Sequence, residues 1–201
     1  MPRIKHTKNE LKAQRDALRR FERYLPTLQL KKQQLQLEIR QMDAAIERKR
    51  SEREAVRAEL QRWIQLFSDP FPFAEYLRLA ERRESSGNIA GVIIPLLEEI
   101  RFDRRMPDLS ETPPWVDDGL DVLEKLARLS IEIEVLEEQR RRVAEELRTT
   151  TQRINLFEKV KIPETRENIR VIRIFLGDQM TAEVARSKIA KGKSTEKGRA
   201  A

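Results

Sequence analysis

The chain has no cysteine and a single histidine, His6, in 201 residues. No disulfide framework can form, and one imidazole cannot build a metal site. Only six glycines are present and aromatics make up 5%, against a charged fraction of 37%. Such a chain invests in helix length, with its charge on water-facing positions, rather than in a compact core. No apolar run reaches the roughly 18 residues of a membrane-spanning helix; the longest is the short IAGVIIPLL, 89–97. The amino terminus, MPRIKHTKNE, lacks the apolar stretch of a signal peptide. These absences predict a soluble, cytosolic, helical protein.

Catalytic patterns are missing as well. There is no phosphate-loop GxxxxGK[ST], no GxGxxG, no HExxH and no cysteine nucleophile. Glu98-Glu99 and Glu137-Glu138 are sequence neighbours, so on a helix they point in different directions and read as solvated acidic faces. Lys191-Gly192-Lys193-Ser194-Thr195 is like the end of a phosphate loop but lacks the preceding strand and glycine-rich turn. No catalytic, cofactor-binding or metal-ligating residue is expected, and no cofactor.

What the chain does have is a seam. From Leu11 to Phe67, steps of three and four land on Leu11, Gln14, Leu18, Phe21, Leu25, Leu28, Lys32, Leu35, Ile39, Met42, Ile46, Lys49, Arg53, Val56, Leu60, Trp63 and Phe67. Four of these are polar. The rest make an apolar stripe narrower than that of a helix on a globular core, as in a left-handed coiled coil. At about 1.5 Å per residue the run predicts a helix of roughly 85 Å. It should start near Thr7, where Thr7 and Glu10 have capping-box spacing. It should bend at Pro26, which leaves the Glu22 carbonyl without its partner, and end at Ser68-Asp69-Pro70. Trp63 and Phe67 read as core where this helix meets the next module, or else as a docking patch.

A second seam follows Thr112-Pro113-Pro114: Val122, Leu126, Leu129, Ile133, Leu136, Arg140, Val143, Leu147, Thr150, Ile154 and Phe157. Beyond it, Ile162, Thr165, Ile169, Ile172 and Leu176 continue one register over, so an irregularity is expected near 160–163, beside Pro163. Two seams of matched length predict one antiparallel hairpin within the chain, with Leu35, Ile39 and Met42 facing the 133–147 segment. Parallel homodimeric coils are the rival arrangement. Between the seams, 73–84 reads as a short amphipathic helix and Ser86-Gly87-Asn88 as a turn. Asn88–Ile94 then reads as a strand, with 96–102 as its hairpin partner, packed near the end of the coil far from the chain termini. The fold class is therefore dominated by α-helix: a long antiparallel two-helix coiled-coil hairpin with a small central module containing a short β-hairpin. The expected divisions are 1–67 (first coil helix), 68–115 (central module), 116–180 (second coil helix) and 181–201 (a basic, unpatterned, mobile tail).

Charge follows the chain. The net charge is +7, carried as +8 over 1–67, −3 over 68–115, −2 over 116–180 and +4 over 181–201. Basic ends point either to nucleic acid or to an acidic protein cavity that receives both ends. A nucleic-acid interface would need stacking aromatics on a basic stripe. Phe21, Tyr24 and Phe157 instead fall on or beside seams, and acids interleave the bases. Arg48-Lys49-Arg50 and Arg140-Arg141-Arg142 sit at mid-coil, neutralised by Glu137, Glu138, Glu145 and Glu146 or else forming a partner-binding band.

Four segments carry a resemblance: Thr7-Lys8-Asn9-Glu10-Leu11; YLPTLQLKKQQLQ, 24–36; NIAGVIIP, 88–95; and RINLFEKVKIPETRENIRVIRIFLGD, 153–178. In the last, Arg153, Asn155, Glu158, Ile162, Pro163, Ile169 and Ile172 couple a polar cluster, a proline and a seam. Together they resemble the D subunit of the vacuolar/archaeal-type rotary ATPase in its bacterial form, over residues 4–180. The resemblance implies a non-catalytic central rotor shaft that couples ATP hydrolysis or synthesis to ion translocation. Its paired ends would enter the ring of catalytic and nucleotide-binding subunits. Its lower part would bind the small F subunit of the stalk and sit on a funnel-shaped subunit above the membrane rotor. It implies a cytoplasmic location peripheral to the inner membrane, without membrane insertion and without nucleic acid. Expected ring contacts are Lys8, Lys12, Arg15, Arg19, Arg20, Arg166, Arg170 and Arg173. A coiled-coil adaptor with no rotary role is the alternative that periodicity leaves open.

Overall fold

A computed structural model describes residues 4–61, 71–108 and 112–199, with side chains as far as 193. Helix α1 spans Lys8–Leu60, the short α2 Phe73–Tyr76, strands β1 and β2 Leu77–Ile89 and Val92–Arg104, and α3 Val116–Leu156. A π-helical turn, Phe157–Lys161, joins α3 to α4, Ile162–Arg199. The chain divides into two compact units, 31–149 and the two end segments 1–30 with 150–201. The expected end of the first helix at 68–70, and Trp63 and Phe67, lie outside the described residues.

Both seams form. Every stop from Leu11 to Leu60 is buried or half-buried. The Thr7 hydroxyl accepts the Glu10 N–H at 3.2 Å, capping α1. The Glu10 carboxylate turns instead to Gln14, 2.8 Å away. Pro26 lies inside α1 without ending it. Along the second seam only Arg140 is exposed, and it pairs with Asp43 at 2.6 Å.

The phase change has a geometric cause. In the π-helical turn, the Ile162 N–H donates to the Phe157 carbonyl, one residue further back than in an α-helix. One extra residue is thus absorbed, and Ile162, Thr165, Ile169 and Ile172 return to the interior. The Thr165 hydroxyl donates to the Lys161 carbonyl at 2.6 Å, satisfying an acceptor at the end of that turn.

In the 31–149 unit a third layer covers the two helices. Leu35, Met42, Val143 and the strand residue Ile94 form one buried cluster, with Ile39, Ile89, Ala90, Val92 and Leu147 packed around it. A second face of α3, one position off the seam, meets the sheet. Val135 and Gln139 are buried, and Gln139 Nε2 donates to the Pro95 carbonyl at 2.6 Å. The hairpin base is clamped by Arg104 on Asp121 and, at 3.4 Å, on Asp117.

The central module corrects three expectations. Only 73–76 of the expected 73–84 helix is helical; the remainder is β1, paired antiparallel with β2 and broken by irregularities at Leu79/Glu81 and Arg83/Glu84. Residues 77–84 favour helix locally, but cross-strand pairing overrides that preference. Glu81 stands opposite Arg101 and Arg83 opposite Glu99, each 3.8 Å from its partner's charge. The turn falls at Ala90-Gly91 rather than at 86–88, so the expected 88–94 strand straddles it. Both turn residues have positive φ, 50° and 86°, the geometry of a two-residue I′ hairpin loop, and the Gly91 N–H donates to Asn88 Oδ1 at 2.9 Å. Finally, the hairpin is not confined to one end of the helix pair. It runs along the pair in its own unit, from the Asp117/Asp121 clamp to the Leu35–Met42 cluster. At the other end of the sequence, α4 continues through 181–199 where an unpatterned tail was expected. Alanine, glutamate, lysine and arginine sustain a helix there without a seam.

Candidate functional site: a basic flank on the paired chain ends

The end-segment unit is built from α1 up to Leu30 and from the chain after Thr149. Its sequence holds 20 basic against 9 acidic residues, whereas 31–149 holds 21 against 25. The contacts that hold it are local. Phe21 and Phe157 rings meet at 5.1 Å, His6 and Phe175 at 4.8 Å, and Gln29 donates to Glu158 at 2.8 Å. Ile169 and Ile172 lie inside while their neighbours Arg170 and Arg173 face out.

All eight expected contact residues, Lys8, Lys12, Arg15, Arg19, Arg20, Arg166, Arg170 and Arg173, are exposed. They are not equivalent. Arg15, Arg19, Arg166 and Arg173 line one open groove of about 550 Å³ that runs between α1 and α4, with Glu22 on its wall. Leu18 and Ile169 contribute its apolar floor. Lys8, Lys12, Arg20 and Arg170 stand outside it. Arg166 is neutralised by Glu22 at 2.8 Å and Arg170 by Glu167 at 2.6 Å. That second pair holds the Glu167 carboxyl below its ordinary range, chiefly through the Arg170 hydrogen bond. Among the described residues, no carboxylate lies within ion-pair distance of Arg15, Arg19 or Arg173. Glu22 and the floor residues were not foreseen as part of the site. A signal for them exists: Leu18 and Ile169 are seam stops, and positions 12, 15, 19 and 22, and 166, 170 and 173, each follow a seam stop by one. They therefore share one flank of the helix pair.

Five of the six cations in the two mid-coil triplets pair with carboxylates within the protein, and Arg48 donates to the Ala44 carbonyl. Arg50 pairs with Glu137 at 2.6 Å, Lys49 with Glu132 at 2.9 Å, and Lys31 with Glu146 at 2.6 Å. Arg141 and Arg142 converge on Glu138 at 2.7 Å each, and Arg141 reaches Glu145 at 2.7 Å. This favours neutralisation over a partner-binding band. Glu132, and secondarily Glu52, raises the Lys49 pKa, so the seam lysine stays charged. Among the described residues no group of three or more His, Cys, Asp or Glu is placed to hold a metal ion. No described helix is long and apolar enough to cross a membrane.

The fold places the molecule in a class: an antiparallel helical hairpin carrying an inserted β-hairpin, with a basic flank on its paired ends. The sequence profile of the ATP synthase D subunit matches residues 10–192. The chain is 45% identical over 199 residues to the V-type ATP synthase D subunit of Borreliella burgdorferi, covering 99% of this chain and 98% of that one. It is 34% identical to the V-type ATP synthase D subunit of Chlamydia felis over 197 residues, 94% of this chain and 93% of the relative. With the same-named protein of Chlamydia caviae the identity is 33% over 193 residues, at the same coverage. The chain belongs to the family of ATP synthase D subunits.

Proposed function

We propose that this chain is the central stalk of a V-type rotary ATPase, a non-catalytic rotor subunit. It couples ATP hydrolysis or synthesis in a catalytic hexamer to ion translocation by a membrane rotor. The observation that carries the reading is the family match over residues 10–192, on a chain folded as a helical hairpin with an inserted β-hairpin. Its partners are the catalytic and nucleotide-binding subunits, the small F subunit of the stalk and the funnel-shaped subunit above the membrane rotor. It acts at the cytoplasmic face of the membrane without entering the bilayer. Residues 1–67 and 116–180 form the coil, 68–115 the central module and 181–201 a basic extension.

A stalk must carry torque without unwinding and must present different faces to three equivalent catalytic sites. The buried seam resists unwinding because separating the helices would expose Ile162, Ile169 and Ile172 to water. Two helices inside a threefold ring supply the asymmetry. The eight exposed cations, Lys8 to Arg20 and Arg166 to Arg173, suit contacts that form and break at each step, because rim charges change rates more than affinity. Reconstitution tests the reading. The isolated chain should hydrolyse no ATP, and adding it to the hexamer should change turnover and give directional rotation. Placing Asp at Ile169 and Ile172 should abolish both effects by burying unpaired carboxylates in the seam. Unchanged rotation in that double variant would overturn the assignment and favour a loose adaptor.

A further inference from the structure

We propose that the paired helices carry a built-in compliant joint, formed where the proline of α1 lies beside the π-helical turn that leads into α4. Each helix is interrupted once in this stretch. Pro26 has no N–H for the Glu22 carbonyl, and the Ile162 N–H skips a residue to reach the Phe157 carbonyl. The two interruptions share one level of the coil. Phe157 meets Phe21 at 5.1 Å and Glu158 accepts from Gln29 at 2.8 Å, contacts that fall on either side of Pro26. Each interruption is accompanied by a threonine whose hydroxyl turns back onto its own helix. Thr27 donates to the Tyr24 carbonyl at 2.7 Å and Thr165 to the Lys161 carbonyl at 2.6 Å, bonds of a kind that loosen and bend a helix.

Packing thins at the same level. No residue from 21 to 30 of α1, or from 155 to 161 of the opposite helix, is buried, whereas Ile154 on one side and Ile162 and Thr165 on the other are. A helix pair bends and twists where ladder hydrogen bonds are missing and few close-packed side chains oppose the movement. The buried residues on both sides keep the helices together, so the joint yields without unwinding the seam. In a shaft that turns in steps between equivalent sites, it stores twist while one end is held and returns it when the step occurs. That role rests on the stalk reading, whereas the joint itself is a property of the isolated chain.

The test uses the full chain, whose lack of cysteine allows spin labels to be placed in pairs. One pair, Ala13→Cys with Leu30→Cys, spans the joint, and a second, Leu37→Cys with Glu54→Cys, spans an equal length of α1 outside it; all these positions are exposed. The straightened variant carries Pro26→Ala and lacks Val160, which removes the extra residue and leaves Ile162, Ile169 and Ile172 in phase. The comparator Gly177→Ala strengthens α4 away from the joint, where an added methyl meets nothing within 4 Å. In the parent and the comparator, the distance distribution of the spanning pair should be about twice as wide as that of the second pair. The straightened variant should bring the two widths together, and Pro26→Ala alone, which leaves α4 untouched, should already narrow the spanning pair. Equal widths in the parent, or a spanning pair that stays wide in both variants, would overturn the joint. In the reconstituted complex, the thermal angular fluctuation of the paused shaft should fall about twofold for the straightened variant; fluctuation equal to the parent's would overturn the elastic role. A parent chain whose labels behave as expected, but which drives no rotation in the hexamer, would keep the joint and remove the stalk reading.

Discussion

Single residues show where the 31–149 unit draws its stability. Leu35 is fully buried among Met42, Ile94 and Val143, so it touches both helices and the sheet at once. Leu35→Ala should cost about 3 kcal/mol in chemical denaturation, because three packed layers cannot collapse onto the cavity. Gln139 is a different case, a buried polar side chain on an apolar face. Gln139→Ala leaves the Pro95 carbonyl without its donor and should cost about 1–3 kcal/mol. Glu138 is held at a pKa of about 2, first by the Arg141 hydrogen bond and then by that of Arg142. Its folded value lies below its unfolded one. The network's contribution is therefore complete above the ordinary carboxylate pKa and is lost as pH falls from about 4.5 towards 2. Thermal melts across that window should fall less steeply for Glu138→Gln than for the parent. Equal slopes would show that the network contributes nothing to folding.

At the scale of elements, the phase of a seam is a countable quantity. The π-helical turn absorbs one residue between Phe157 and Ile162. Inserting a second extra residue after Val160, an exposed position within it, should exceed what the turn absorbs and rotate everything after it by about 100°. Ile169 and Ile172 would then leave the interior. The expected result is loss of cooperative unfolding for the end-segment unit, seen as rapid amide exchange in 8–30 and 162–176. Near-parental protection would mean that α4 is held by something other than its seam. Pro26 gives the opposite prediction. It lies within a helix that continues through it, so Pro26→Ala restores a donor for the Glu22 carbonyl and should slow exchange around 22–30. The strands show the limit of local preference. Residues 77–84 form a strand because β2 supplies opposite charges in register, information that lies about 20 residues away.

For the whole molecule, the division of charge is the property with the clearest functional consequence. The end segments are strongly basic and 31–149 is mildly acidic. Association through the ends should weaken steeply with salt, whereas folding of 31–149, whose exposed ion pairs each contribute little, should respond little. Comparing hexamer affinity with melting temperature over a salt series checks both together. A melting temperature that falls in parallel with affinity would mean that surface ion pairs, rather than the Leu35 cluster, hold the central unit.

The sequence by itself determined the two helices and their seams, the Thr7 cap and the register change beside Pro163. Each follows from periodicity or from a residue's local chemistry, and these act over a few neighbouring positions. It also marked the basic cations, since charge is read directly. Tertiary structure decided the rest. Pairing with β2 turned 77–84 from helix to strand, and packing against Leu35 and Met42 laid the hairpin along the coil. Val135 and Gln139 became interior only because a sheet lies on a second face of α3. Which arginines remain free was likewise settled by where Glu22 and Glu167 point. Periodicity identifies a face that must be covered, but the identity of the cover depends on contacts between residues far apart in the chain.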